Sequence, residues 1–193
     1  MTPILLGTIA SSRLTTPPYG NTVAFESIAS IDTAGGVPSV AFTNIPSTYK
    51  ALLIRYSARS GRARNANGWL GYKLNDTFAN WAHYVEGYSG ANPFTTGYTS
   101  SPSGNSGMIA APGTDANSNA RGVGWVLIYD YATSGRTKTT LIYTGVTNDG
   151  ANGAIIGGDF VWDTTTATTS IYFYSPDGTN LSAGRFWLYG LEA

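Results

Sequence analysis

Four arginines crowd one short stretch of this chain and form its densest source of chemistry. Arg55 and Arg59 alternate with other residues in Leu52-Leu53-Ile54-Arg55-Tyr56-Ser57-Ala58-Arg59, and Arg62 and Arg64 follow directly. A guanidinium is a planar, permanently charged fork that grips carboxylate or phosphate oxygens in pairs. Nucleic acid asks for a basic stripe on a positive domain. Here 11 basic residues balance 11 acidic ones, and the formal net charge is zero. The partner expected for Arg55, Arg59, Arg62 and Arg64 is therefore an acidic face of a neighbouring subunit or an anionic glycan, with no nucleic acid. The plain alternative is a solvated strand face with local pairs to Asp or Glu.

Aromatic side chains are the second resource. Five Trp and 13 Tyr exceed what one small core must hold. Both types suit places where one end is apolar and the other wet. Tyr72, Trp81, Tyr84, Tyr88 and Tyr98 are candidates for a row that stacks a glycan. Trp125 and Trp187, in mid-strand, are expected in the core.

Reactive constellations are scarce. His83 is the single histidine; a Ser-His-Asp triad would have to use it, and its aromatic neighbours mark it as a packed residue. Ser47-Thr48-Tyr49-Lys50 matches Ser-x-x-Lys, but without the helix and partner motifs that acylation needs. Gly157-Gly158-Asp159-Phe160 lacks the glutamate of the cyclic-dinucleotide synthase signature. Glu86, Asp130, Asp159 and Asp163 show no spacing that marks two of them as a hydrolase pair. Asp130 is expected to cap a strand end or pair with an arginine. Asp149, Asp159 and Asp177 form no calcium loop, one histidine cannot build a histidine-rich metal site, and there is no cysteine. The expectation is a non-enzymatic protein with no cofactor and no metal.

Short strands must position these side chains. Val40 and Phe42 alternate with Ala41 and Thr43. Beyond Asn44-Ile45-Pro46-Ser47, Leu52, Ile54, Tyr56 and Ala58 share one face; Leu53, Arg55, Ser57 and Arg59 share the other. That period of two predicts half-buried antiparallel strands, and Pro46 sets the turn. Further strands are expected over Phe25–Asp32, Trp69–Leu74, Ala82–Glu86, Gly107–Ala111, Val123–Tyr131, Lys138–Thr147, Ala154–Trp162, Ser170–Ser175 and Arg185–Leu191. No amphipathic helix stands out. The fold class is all-β, an antiparallel, jelly-roll-like β-sandwich over residues 23–193. Residues 89–121 read as polar linkers around Met108–Ala111, with either recognition-loop or plain surface-loop chemistry.

Residues 1–22 read as an extended N-terminal arm. Thr2-Pro3, Pro17-Pro18 and Gly20-Asn21 break regular structure, and Ile4, Leu5, Leu6 and Ile9 form an apolar patch between the breaks. The patch either packs as an edge strand on its own domain or docks on another subunit. It is too short for a signal peptide, and no run approaches a membrane span, so no membrane insertion is expected. Only 11% of residues are charged, so the surface must be built from Thr, Ser, Asn, Gly and Tyr. Such a surface favours self-association.

Phe42-Thr43-Asn44-Ile45-Pro46-Ser47-Thr48-Tyr49-Lys50, followed by Leu52-Leu53-Ile54-Arg55, resembles a recurrent pattern in small structural proteins of tailed bacteriophages. Further matches follow in chain order: Ile4 to Ser11, Ile128-Tyr129-Asp130-Tyr131-Ala132 with Lys138-Thr139, and Arg185 to Leu191. The resemblance implies a β-sandwich virion component, exposed on the particle as capsid cement or decoration, or as a tail or fibre component. It implies contacts with other virion proteins and with itself, through the arm and a strand face. A homo-oligomer, by analogy a trimer, fits that role. A carbohydrate- or receptor-binding module at a fibre tip is the alternative, with a host-surface glycan as partner; a glycan-degrading enzyme stands third.

Overall fold

In the computed structural model, residues 25–34, 36–63, 68–79, 81–89, 92–96, 107–148 and 152–192 are described. They form strands β1 (Phe25–Thr33), β2 (Ser39–Phe42), β3 (Ala51–Ser60), β4 (Trp69–Leu74), β5 (Trp81–Ser89) and β6 (Asn92–Thr96). There follow β7 (Gly107–Ala110), β8 (Gly122–Tyr129), β9 (Lys138–Asn148), β10 (Asn152–Trp162), β11 (Ile171–Tyr174) and β12 (Leu181–Leu191). No helix occurs among the described residues. The arm over 1–22 lies outside them.

The alternation at Val40–Phe42 and Leu52–Ala58 holds as expected, with Val40, Phe42, Leu52, Ile54, Tyr56 and Ala58 all buried. Yet the two strands do not pair. β2 belongs to a four-stranded sheet ordered β2-β11-β4-β7, and β3 to an eight-stranded sheet ordered β1-β12-β3-β8-β9-β10-β5-β6. The Pro46 turn is thus a crossing between sheets, entered at Asn44 in the left-handed region (φ 55°). Every pairing is antiparallel, and the inner faces of the two sheets meet as a β-sandwich. One element was unforeseen: Asn92–Thr96 pairs with β5, although its polar surroundings read as a linker.

The core is aromatic at its centre. Tyr72 from the small sheet lies 5.9 Å from Phe160 and 5.4 Å from Trp162 of the large one, and 5.9 Å from Phe173 beside it. Phe173 in turn meets Phe186 at 4.9 Å. Burying each such ring contributes about 1.5–3 kcal/mol. Gly107 on β7 makes room for this centre, because a Cβ there would overlap the Tyr72 ring. Among the described side chains the core tryptophan is Trp162; Trp125 and Trp187, expected inside, are only half-buried. They sit on the outer parity of β8 and β12.

Several polar groups inside the sandwich are matched across it, as burial requires. The Tyr72 hydroxyl bonds the Thr140 hydroxyl. The Tyr56 hydroxyl donates to Ala110 O at 2.8 Å, and Ala110 N donates to Thr144 Oγ1 at 3.2 Å. Burial pushes both phenols well above the ordinary tyrosine range, so both remain neutral. The sheet crossing has its own staple. Asp130 (φ 49°) turns the chain after β8 and sends Tyr131 inward. The Tyr131 hydroxyl donates to Pro46 O and accepts from Tyr49 N at 3.3 Å.

Removing that hydroxyl leaves a carbonyl and an amide without their partner. Tyr131→Phe is expected to lower unfolding stability by about 1–3 kcal/mol, read from the urea midpoint. An unchanged midpoint would show that the crossing holds without the staple.

Candidate functional site

The outer face of the large sheet gathers side chains from five strands. In an antiparallel sheet, residues in register point to the same side. Trp187 is in register with Arg55, Arg55 with Trp125, Trp125 with Tyr143, and Tyr143 with Gly157. This gives one row across β12, β3, β8, β9 and β10. The next row is Tyr189, Leu53, Leu127, Leu141 and Asp159, and the row on the other side is Arg185, Ser57, Val123, Gly145 and Ile155. Strands about 4.8 Å apart make this face about 19 Å wide over the five strands.

The face is apolar and open. Val123 is 52% exposed, Tyr143 53% and Ile155 46%. The Trp125 and Tyr143 rings stack at 6.3 Å with a 28° interplanar angle. Gly157 adds no side chain beside them; a Cβ there would stand 3.7 Å from the Tyr143 ring. Trp187 is flanked by Arg185, whose guanidinium lies 5.8 Å from the ring centroid and also pairs with Asp32.

Arg55 sits on the second of these five strands, between Trp187 and Trp125, and is exposed. Among the described residues no hydrogen bond or ion pair engages its guanidinium. The other arginines of the stretch do not join it. Arg59 has the outer parity but is 5% exposed, because residues 114–117 pass over it. It donates to Ala116 O at 2.7 Å, to Thr114 O at 3.1 Å and to Asn117 O. Burial, and then the charge of Arg121, hold it below the usual arginine value. Arg62 pairs with Asp177 at 2.8 Å and lies 5.1 Å over the Trp69 ring. Arg64 lies outside the described residues. Of the arginines expected to form a contact surface, Arg55 is thus the one among the described residues that stays open: Arg59 is turned into the protein and Arg62 is neutralised.

The aromatic candidates change as well. Tyr72 is fully buried in the core, which removes it from any glycan-facing row; Leu70, Tyr72 and Leu74 follow one parity, and that parity faces inward. Trp81, Tyr84 and Tyr88 lie on β5, which pairs with β10; Tyr98 is outside the described residues, as are Ile4, Leu5, Leu6 and Ile9. Among the described side chains, those that build an aromatic face are Trp125, Tyr143, Trp187 and Tyr189. Their signal was the every-second-residue spacing in Val123-x-Trp125-x-Leu127-x-Tyr129 and Leu141-x-Tyr143.

Other charged groups serve the fold. Asp130 pairs with Arg136 at 3.4 Å, in line with the expected structural role. Lys138 is buried and donates to Thr133 O, and to Arg136 O at 2.8 Å, closing the turn after β8. Burial lowers its pKa, with Asp130 pulling it up and Arg136 pushing it down. His83 stands in register with Asp159, and Glu86 with Gly157. Among the described residues no three His, Cys, Asp or Glu side chains gather as metal ligands.

No protein-family model matches the chain, and no curated protein matches it. A solved structure of a protein of unknown function from Shewanella oneidensis MR-1 aligns at 12% identity over 86% of this chain and 74% of that one, with a TM-score of 0.21. So low a score carries no argument about fold or function.

Asp177 supplies a test of the loop beneath Arg62. Partial burial alone would raise its pKa; hydrogen bonds from Thr179 and Ser175 and the Arg62 charge outweigh that and hold it at about 2, against an ordinary 3.8. A depressed carboxylate stabilises the fold above its unfolded pKa, and the contribution fades as pH falls through the folded value. Asp177→Asn should therefore melt below the parent chain at about pH 6, with the gap narrowing between about pH 4 and pH 2. A gap that is constant with pH would mean that the charge of Asp177 does not stabilise the loop.

Proposed function

We propose that this chain is a non-enzymatic structural component of a tailed-phage virion, exposed on the particle as capsid cement or decoration, or as a tail or fibre component. The observation that carries the reading is the open apolar outer face of the large sheet. Large apolar side chains exposed side by side on one sheet face, here Val123, Leu141, Tyr143 and Ile155, are the kind of surface that interaction sites use. The sequence resemblance to phage structural proteins gives that surface its setting. So does a chain with only 11% charged residues, which suits permanent neighbours.

The division of labour follows. The sandwich is the rigid body. Residues 1–22, with Ile4, Leu5, Leu6 and Ile9, latch onto a neighbouring copy in a homo-oligomer, a trimer by analogy with virion spikes and decorations. The outer face is then left to look outward. A receptor-binding role at a fibre tip is the second reading, and the row Trp187, Arg55, Trp125 and Tyr143 favours it. The two readings are compatible in one exposed protein.

Light scattering on the full chain and on a version lacking residues 1–22 tests the arrangement. A defined oligomer for the first and a folded monomer for the second is the expected pair. Two clean monomers would refute the latch. A truncated chain that still associates, and that Val123→Asp dissociates, would show that the outer face itself is the subunit contact.

A further inference from the structure

We propose that the outer face of the large sheet binds a carboxylated glycan, with Arg55 gripping the carboxylate and Trp125, Tyr143 and Trp187 stacking the sugar rings. The inference rests on the reading that this face is presented to solvent. It adds the class of ligand and the residues that select it.

The charge argument comes first. Among the described residues, Arg59, Arg62, Arg121, Arg136 and Arg185 each hold a carbonyl or a carboxylate. Arg55 holds neither, although it is exposed on a face with few polar groups. Its neighbours in register are Trp187 and Trp125. Of the acids on that side of the sheet, Asp32 is already taken by Arg185, and Asp159 stands on β10, three strands from β3 and in register with Leu141 rather than with Arg55. A carboxylate held against this guanidinium by a sugar stacked on the neighbouring rings is shielded from water on the sugar side, which strengthens the pair. The planar fork takes both carboxylate oxygens at once.

The shape argument selects a sugar. A pyranose ring turns a face of C–H bonds outward, and these meet the electron-rich face of an indole or phenol favourably. Trp187 and Trp125 lie on strands either side of Arg55, about 10 Å apart from the strand spacing alone. That spacing suits alternate rings of an extended oligosaccharide with a carboxylate between them. Tyr143 prolongs the platform beyond Trp125, and Gly157 leaves its far end without a wall. A peptide strand cannot add here by backbone pairing, because β3, β8 and β9 are interior strands paired on both sides; strand addition needs a free edge.

Titration of the full chain with oligogalacturonate, oligoalginate and sialyllactose tests this, followed by calorimetry and tryptophan fluorescence. Methyl-esterified oligogalacturonate serves as the uncharged counterpart. At least one carboxylated probe should bind and shift the emission; if it is oligogalacturonate, its ester should bind about tenfold or more weakly, as loss of a charge-assisted pair implies. Arg55→Gln, at an exposed position, should bring the acid form down by about the same factor while leaving the ester unchanged. Trp125→Ala should weaken both forms. Silence toward all three acids, equal binding of acid and ester, or full binding by Arg55→Gln would overturn the proposal. Light scattering on the same samples separates the two ideas. A face buried in an oligomer that Val123→Asp dissociates refutes presentation to solvent, and the glycan site with it. An open face that ignores every probe refutes the glycan site alone.

Discussion

A phenol shut between two sheets must find its hydrogen-bond partner there, and the meeting of Tyr72 with Thr140 is the contact on which the rest turns. It ties β4 of the small sheet to β9 of the large one at a single register. With Thr140 facing inward, Ile142 and Thr144 follow it, and all three are buried. Leu141 and Tyr143 must then face outward. Pairing carries that choice across the sheet, so Trp125, Arg55 and Trp187 come out beside Tyr143. The outer row is thus a consequence of how the interior satisfies its polar atoms. Replacing either hydroxyl partner with an unmatched group would leave the other orphaned at a cost of about 1–3 kcal/mol.

With no helices among the described residues, the loops are held by side chains that reach for carbonyls. Arg59 takes three from the segment before β8. Lys138 closes the turn that follows it. Asn75, itself in the left-handed region, donates to Ala167 O at 2.7 Å and accepts from Thr169 N at 2.8 Å and Ser170 N at 3.1 Å. Buried carbonyls need such partners as strictly as strands need each other. Among the described residues the other arginines are engaged by carbonyls or by carboxylates, which is why Arg55, exposed and without such a partner there, stands out.

Much of the fold was legible from alternation. The buried faces of β2 and β3, the turn at Pro46 and most strand positions follow from a period of two and from turn residues. What alternation could not supply was which sheet each strand joins, since β2 and β3 look like a hairpin in sequence and part company at Asn44. Nor could it choose a face on β8, where Trp125 and Leu127 are as apolar as Val126 and Ile128. The candidate site suffered from the same ambiguity. Arg59 has the parity of Arg55, yet a loop more than fifty positions away along the chain covers it. Tyr72 was readable as interior from Leu70 and Leu74, but a tyrosine between Gly and Lys suggests surface. Residues whose role depends on distant chain passing over them carry no local mark of it.

On β8 and β9 the residues that fill the interior and those that look outward occupy alternate positions along the same strands. The two sets are interleaved in sequence but separated by the thickness of the sheet. Descendants of this chain can therefore rewrite Val123, Trp125, Leu141 or Tyr143 one codon at a time while Val126, Ile128, Ile142 and Thr144 stay as they are. Insertion of a single residue does the reverse, exchanging the two sets wholesale. Such a strand tolerates drift by substitution and resists drift by indel, so the outer surface is free to diversify on an inherited scaffold.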